Sequence, residues 1–179
     1  MKWCTFFFAV FPVVALAQST GPEKVSALLA SHEAGIICAP PTVGTAPAPD
    51  TVAGTTHLID SEPTFVSTNR RVPAVVGIGF GIKALALDIN GIPGVTMTIT
   101  HPPMGKAKAT AQTFHTVISG QSPSLTFYQF DFDYELVEGT WQLEATQGGT
   151  VLYRTTFDVL PPEEVPELAR ICGFEEILS

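Results

Sequence analysis

Apolar and polar residues alternate along much of this chain, and the alternation is densest from Thr126 to Val159. Side chains on one face of a strand recur every second residue. Tyr128, Phe130, Phe132, Tyr134 and Leu136 therefore fall on one face, with Gln129, Asp131, Asp133 and Glu135 on the other. Trp141, Leu143 and Ala145 repeat the pattern against Gln142 and Glu144, and Val151, Tyr153, Phe157 and Val159 repeat it again with Thr155 between. The pattern predicts three successive half-buried strands, the last two joined through Gly148-Gly149.

The same period marks strands upstream. Ala34, Ile36 and Cys38 place a first strand from His32, and Thr55–Ile59 reads as a short one. Val72–Leu87 is the longest run, with Val76, Ile78, Phe80, Ile82 and Ala84 in one stripe and Gly77, Gly79 and Gly81 behind it. A row of glycines admits a second backbone or a flat side chain close above the sheet. It lacks the G-x-G-x-x-G spacing and following helix of a nucleotide loop. Val95–His101 alternates up to Pro102-Pro103, and Gln112–Ile118 follows. Pro40–Gly54 has no period and reads as an extended surface loop. Ser61–Arg71 reads as a connection with Phe65 turned inward and Arg70-Arg71 in solvent. Beyond Pro161-Pro162 the period changes: Val165, Leu168, Ala169 and Cys172 predict an amphipathic helix ended by Gly173. Phe174, Ile177 and Leu178 then need a place to dock.

About eight short strands with little helix between them predict an all-β, antiparallel sandwich of immunoglobulin-like type with a short C-terminal helix, a closed barrel being the alternative. Tyr134-x-Leu136-x-x-Gly139-x-Trp141 is similar to the tyrosine corner of immunoglobulin-like sandwiches, although Cys38 and Cys172 do not have the antibody spacing. From Val95 onward the chain also resembles a bacterial family known as a domain of unknown function, DUF3859. The resemblance rests on Thr96-Met97-Thr98-Ile99-Thr100-His101-Pro102-Pro103, Phe127-Tyr128-Gln129-Phe130-Asp131, Glu138-Gly139-Thr140-Trp141 and Val151-Leu152-Tyr153-Arg154, with Glu33-Ala34-Gly35 upstream. It implies no catalytic residue, substrate or cofactor.

Composition adds the compartment. Lys2, the apolar run Phe6–Val14 and Ala15-Leu16-Ala17 have the form of a secretory signal, so residues 1–17 are expected to be removed between Ala17 and Gln18. Residues 18–31 are then an N-terminal arm or short helix, and 32–179 a single sandwich domain with its helix. Loss of Lys2 leaves 8 basic residues against 17 acidic, a net charge of −9. Such a surface disfavours nucleic acid. No membrane span is expected after cleavage, and a periplasmic or secreted location follows. Cys38 and Cys172 are the two cysteines remaining after the leader, and an even pair in an exported chain predicts a disulfide. Two buried free thiols are the alternative.

Motifs for chemistry are sparse. No G-x-S-x-G elbow is present, and His32, His57, His101 and His115 sit in no recognisable catalytic pattern. Asp131, Asp133 and Glu135 read as a solvated strand face rather than a carboxylate pair or calcium loop. Met97 and His101 share a strand face, and convergence of His101, Met104 and His115 would suit copper. No catalytic residue, metal ligand or cofactor is assigned. The reading is an exported non-catalytic module that binds another protein or an envelope component. A metal-binding protein, or a hydrolase with a histidine beside a carboxylate, are the alternatives.

Overall fold

The computed structural model describes residues 21–40, 42–49 and 51–178. The expected signal sequence, with Ala17 and Gln18, lies outside the described residues, as does the side chain of His57. Two sheets enclose the core. The larger contains β1 (Lys24–Val25), β5 (Arg71–Pro73), β7 (Ile92–Met104), β8 (Ala109–Ile118), β10 (Gly139–Gln147) and β11 (Thr150–Leu160). Its order is β1-β11-β10-β7-β8, and β5 pairs in parallel with the end of β11. The smaller holds β2 (Leu29–Cys38), β6 (Ile78–Ala86) and β9 (Ser124–Gln129) in the order β2-β6-β9. A separate hairpin joins β3 (Thr42–Pro47) to β4 (Thr55–Ile59). The class is the expected all-β sandwich, with eleven strands among the described residues rather than about eight.

The inward residues of both sheets meet around Phe80. Its ring lies 4.9 Å from that of Phe157, 5.6 Å from Trp141 and 5.7 Å from Phe130. Phe80 comes from the smaller sheet, whereas Trp141 and Phe157 come from the larger. Trp141 has its one polar atom satisfied by the Val137 carbonyl at 2.9 Å. Val95, Met97, Ile99, Leu143 and Ala145 complete the inner face of β7 and β10, as their alternation predicts. Gly148 and Gly149 both have positive φ, the geometry of the two-residue turn joining β10 to β11.

Several expectations change where the chain passes from one sheet to the other. Val72–Leu87 is two strands: β5 lies in the larger sheet and β6 in the smaller, so residues 74–77 carry the crossing. Val76 faces outward there, 46% exposed, instead of joining the stripe. Thr126–Leu136 is not one strand either. β9 stops at Gln129, and a 3₁₀ turn at Asp133–Glu135 carries the chain across to β10. Phe132 and Tyr134 are exposed by 47% and 43%, their rings stacked 5.3 Å apart, so Tyr134 does not brace a corner. Alternation alone cannot see such a crossing, because both sheets bury every second residue.

The arm at 18–31 forms no helix over its described part. β1 pairs with β11 through Lys24–Arg154 and Val25–Tyr153, and β2 begins at Leu29. Val25 and Leu28 are 55% and 50% exposed, so a helix here would have had no buried stripe to stabilise it. Pro40–Gly54 contains β3, whose hairpin leaves Val43 and Leu58 in solvent and therefore shows no inside-outside pattern. β7 runs through Pro102-Pro103 to Met104, with a register irregularity between Thr100 and Met104 that tolerates the prolines.

The glycine row is packed, but from the side. A Cβ on Gly79 would come within 2.8 Å of Ile37 Cγ1 on β2 and 3.0 Å of the Tyr128 carbonyl oxygen on β9. The contacts are the flanking strands of the same sheet, not a layer above it. Gly77 is instead a turn glycine with φ 89°. The helix α1 (Glu167–Cys172) follows a 3₁₀ turn at Pro162–Glu164 and buries Leu168 and Ala169. Phe174 docks into the core, while Ile177 remains exposed. Cys38 and Cys172 are joined, with Cα atoms 5.3 Å apart, which ties α1 to the end of β2. Among the described residues no helix is long and apolar enough to cross a membrane.

Candidate functional site

β8 ends the larger sheet and β9 ends the smaller, on the same side of the sandwich. Between them opens a cleft of about 470 Å³. Its walls include five consecutive residues of each strand, Gln112–Thr116 and Leu125–Gln129. In a strand, neighbours point to opposite faces, so a consecutive run means that the backbone edge itself forms the wall. The β3–β4 hairpin closes a third side through Pro47, Thr51 and Thr55.

The floor is a polar network that enters from the core. Glu135 is only 2% exposed, although the alternation places it on a solvated face. Its Oε2 accepts the N–H of Asp131 at 2.6 Å and of Phe132 at 3.0 Å, which holds the 3₁₀ turn. Its Oε1 accepts the Tyr128 hydroxyl at 2.7 Å. Burial pushes the Glu135 carboxyl above its ordinary range, against the opposing pull of the Asp131 N–H, the Tyr128 phenol and the Phe132 N–H. Burial first, and the Glu135 charge second, push the Tyr128 phenol far upward.

Gln112 links this floor to both the hairpin and His101. Its Oε1 accepts the Val52 N–H at 2.8 Å, and its Nε2 lies 3.2 Å from His101 Nε2. His101 Nδ1 is 2.8 Å from the Pro102 carbonyl, which only accepts. Nδ1 therefore carries the proton and Nε2 accepts from the Gln112 amide. The ring lies 4.8 Å from that of Trp141, and desolvation holds its pKa below the usual histidine value. Among the described residues, no buried side-chain nitrogen or oxygen lacks a partner.

The other candidate residues do not gather into one set, although His115 also lines the cleft. His115 pairs across the ladder with Thr96, on the face opposite Met97 and His101, and its Nδ1 lies 3.4 Å from Thr96 Oγ1. The sulfur of Met104 is 3.9 Å from the Tyr128 hydroxyl. His101, Met104 and His115 therefore do not converge, and the described residues contain no cluster of three histidine, cysteine, aspartate or glutamate side chains placed to hold a metal. Met97 sulfur receives the Tyr153 hydroxyl at 3.2 Å. His32 Nε2 bonds Thr155 Oγ1 at 3.0 Å. Arg70 and Arg71 pair with Glu23 and Glu164. Of Asp131, Asp133 and Glu135, only Asp131 and Glu135 line the cleft. The sequence reading missed Glu135, Tyr128 and Gln112 as a unit. The available signal was two aspartates inside an apparent strand, a residue type that strands avoid.

The sequence model of DUF3859, a domain of unknown function, matches residues 25–159. The chain belongs to this family. The DUF3859 match begins at β1 and ends at β11, so it takes in both sheets and the cleft but not α1 or Cys172. A solved immunoglobulin-like protein from Pseudomonas aeruginosa is similar in fold, at 19% identity and a TM-score of 0.51 over 79% of this chain and 99% of that one. No curated protein matches the chain.

Proposed function

We propose that the chain is an exported, non-catalytic binding domain that engages another protein or an envelope component through the cleft between β8 and β9. One observation carries this reading: the polar groups of the floor are bonded to one another. The Glu135 carboxylate holds a turn and the Tyr128 phenol. The Gln112 amide holds the hairpin, and the His101 imidazole is spent on Gln112 and a carbonyl. A hydrolytic site needs a base free to take a proton from a nucleophile. What this cleft presents to a ligand is shape, backbone and aromatic surface, with Asp131 and His115 beside them.

A photo-cross-linking residue at Thr113 in the cleft wall, compared with one at Val25 on the far edge of the same sheet, tests the reading. In an envelope fraction, Thr113 should yield a saturable adduct and Val25 should not. Equal labelling from both positions, or none from Thr113, would refute it. N-terminal analysis of the same material should find Gln18 at the start, and an intact Met1 in the cytoplasm would refute export.

A further inference from the structure

We propose that the cleft takes an extended peptide segment of a partner protein, which adds as a further strand to the free edge of β8 and sets a basic side chain over the turn at 131–135. This rests on the binding-domain reading above and names the partner chemistry for the same site.

The argument starts from the backbone. β8 has ten residues and pairs only with β7. None of residues 109–118 enters a backbone hydrogen bond outside that ladder. Alternate N–H and C=O groups of β8 therefore face outward without a backbone partner among the described residues, the arrangement that strand addition satisfies. Natural edges are commonly blunted by lysine, proline or an inward charge. β8 carries none of these within its span: it reads Ala-Thr-Ala-Gln-Thr-Phe-His-Thr-Val-Ile. β9 is the less accessible edge. It has six residues, and the chain leaving β4 through Asp60 and Glu62 runs beside Leu125 and Phe127.

The walls then define the side chains a peptide would carry. Alternate residues facing inward would meet Ile99, Phe114 and Phe127 and so be apolar; the opposite residues would reach solvent. Charge sets the end residue. Asp131 and Glu135 line the cleft, no lysine or arginine does, and Lys106 and Lys108 on the turn before β8 stay outside the lining. The turn at 131–135 also bears Asp133 and the exposed Phe132–Tyr134 stack. Carboxylates beside aromatic faces suit a guanidinium or ammonium group.

Nuclear magnetic resonance with two capped hexapeptides tests the proposal. Both alternate threonine and valine; one begins with lysine and the other with glutamate. The lysine peptide at millimolar concentration should protect alternate β8 amides between 112 and 117 from exchange. N-methylation of alternate peptide residues should abolish that protection. The glutamate peptide should bind about tenfold more weakly, as should the lysine peptide to Thr113→Lys. The amide spectrum of Thr113→Lys should keep the wild-type dispersion, which controls for folding, and Val25→Lys, on the far edge of the same sheet, should bind normally. Protection elsewhere, indifference to N-methylation, or no binding by either peptide would overturn strand addition. Protection of the same amides without peptide, with self-association in sedimentation, would overturn the partner peptide in favour of a second copy. If these tests fail while Thr113 still cross-links to an envelope component, the binding-domain reading stands alone. If both fail, both fall.

Discussion

Replacing Glu135 tests whether its carboxylate organises the cleft floor. In Glu135→Ala, the N–H groups of Asp131 and Phe132 and the hydroxyl of Tyr128 lose their acceptor together. A donor left unsatisfied in a buried setting costs about 1–3 kcal/mol. Water can enter the space vacated by the side chain, so the lower figure applies and the total loss is about 3 kcal/mol. For a chain of this size that corresponds to a fall of about 6–12 °C in melting temperature. Glu135→Gln keeps one oxygen for the two backbone donors, and its amide can donate to the Tyr128 oxygen. The loss should be about 1 kcal/mol at neutral pH. Urea unfolding followed by Trp141 fluorescence reads both variants, since the Trp141 ring is buried 5.0 Å from that of Tyr128. The pH dependence supplies a second check. Burial raises the folded-state pKa of Glu135, so the native state holds its proton more tightly than the unfolded chain. The contribution of the group is therefore full below about pH 4.3 and falls as pH rises through the folded value. The advantage of the wild type over Glu135→Gln should shrink from acid to neutral pH. An alanine variant as stable as the glutamine variant, or an advantage that grows with pH, would refute this account.

Three further outcomes follow from the packing. Reduction of Cys38–Cys172 should lower the melting point strongly, because a link across 134 residues is worth at most about 5 kcal/mol of chain entropy; alkylation of the unfolded, unreduced protein should label neither cysteine. Gly79→Val should destabilise the fold by about 1–3 kcal/mol in chemical denaturation, because Ile37 and the Tyr128 carbonyl occupy the space it needs; a gain in stability would refute the close packing. His101, neutral and desolvated, should make the wild type lose stability as pH falls from about 6.5 toward its lowered folded pKa, and His101→Gln should flatten that slope in pH-dependent melts.

The sandwich was legible because its inner faces are written at period two. Val95-Met97-Ile99 and Trp141-Leu143-Ala145 landed in the core as read. The exceptions share a cause. At 74–77 and 130–136 the chain moves between sheets, and the inside-outside rule restarts on the other layer. Alternation puts Glu135 in solvent only if its strand continues; β9 stops at Gln129, and the residue turns inward. The β3 segment was invisible for the opposite reason, since its hairpin buries neither face fully. The cleft was not legible at all. It arises from the free edges of two strands in different sheets, and no local pattern records which strand will have no neighbour.

The bond between Cys38 and Cys172 makes a covalent ring of nearly the whole sandwich, from the end of β2 to the end of α1. Any single backbone cut inside that ring opens it without releasing a fragment. The hairpin connection between β3 and β4, with Ala48, Pro49 and Thr51 at the cleft, lies within it. A protease that nicks this turn would leave one molecule, its two new ends still held at the high local concentration of a tethered pair. Both sheets could then reassemble as a unimolecular event. A DUF3859 domain nicked in its cleft-covering loop would thus keep its sandwich, and only a second cut or a reductant would separate the pieces.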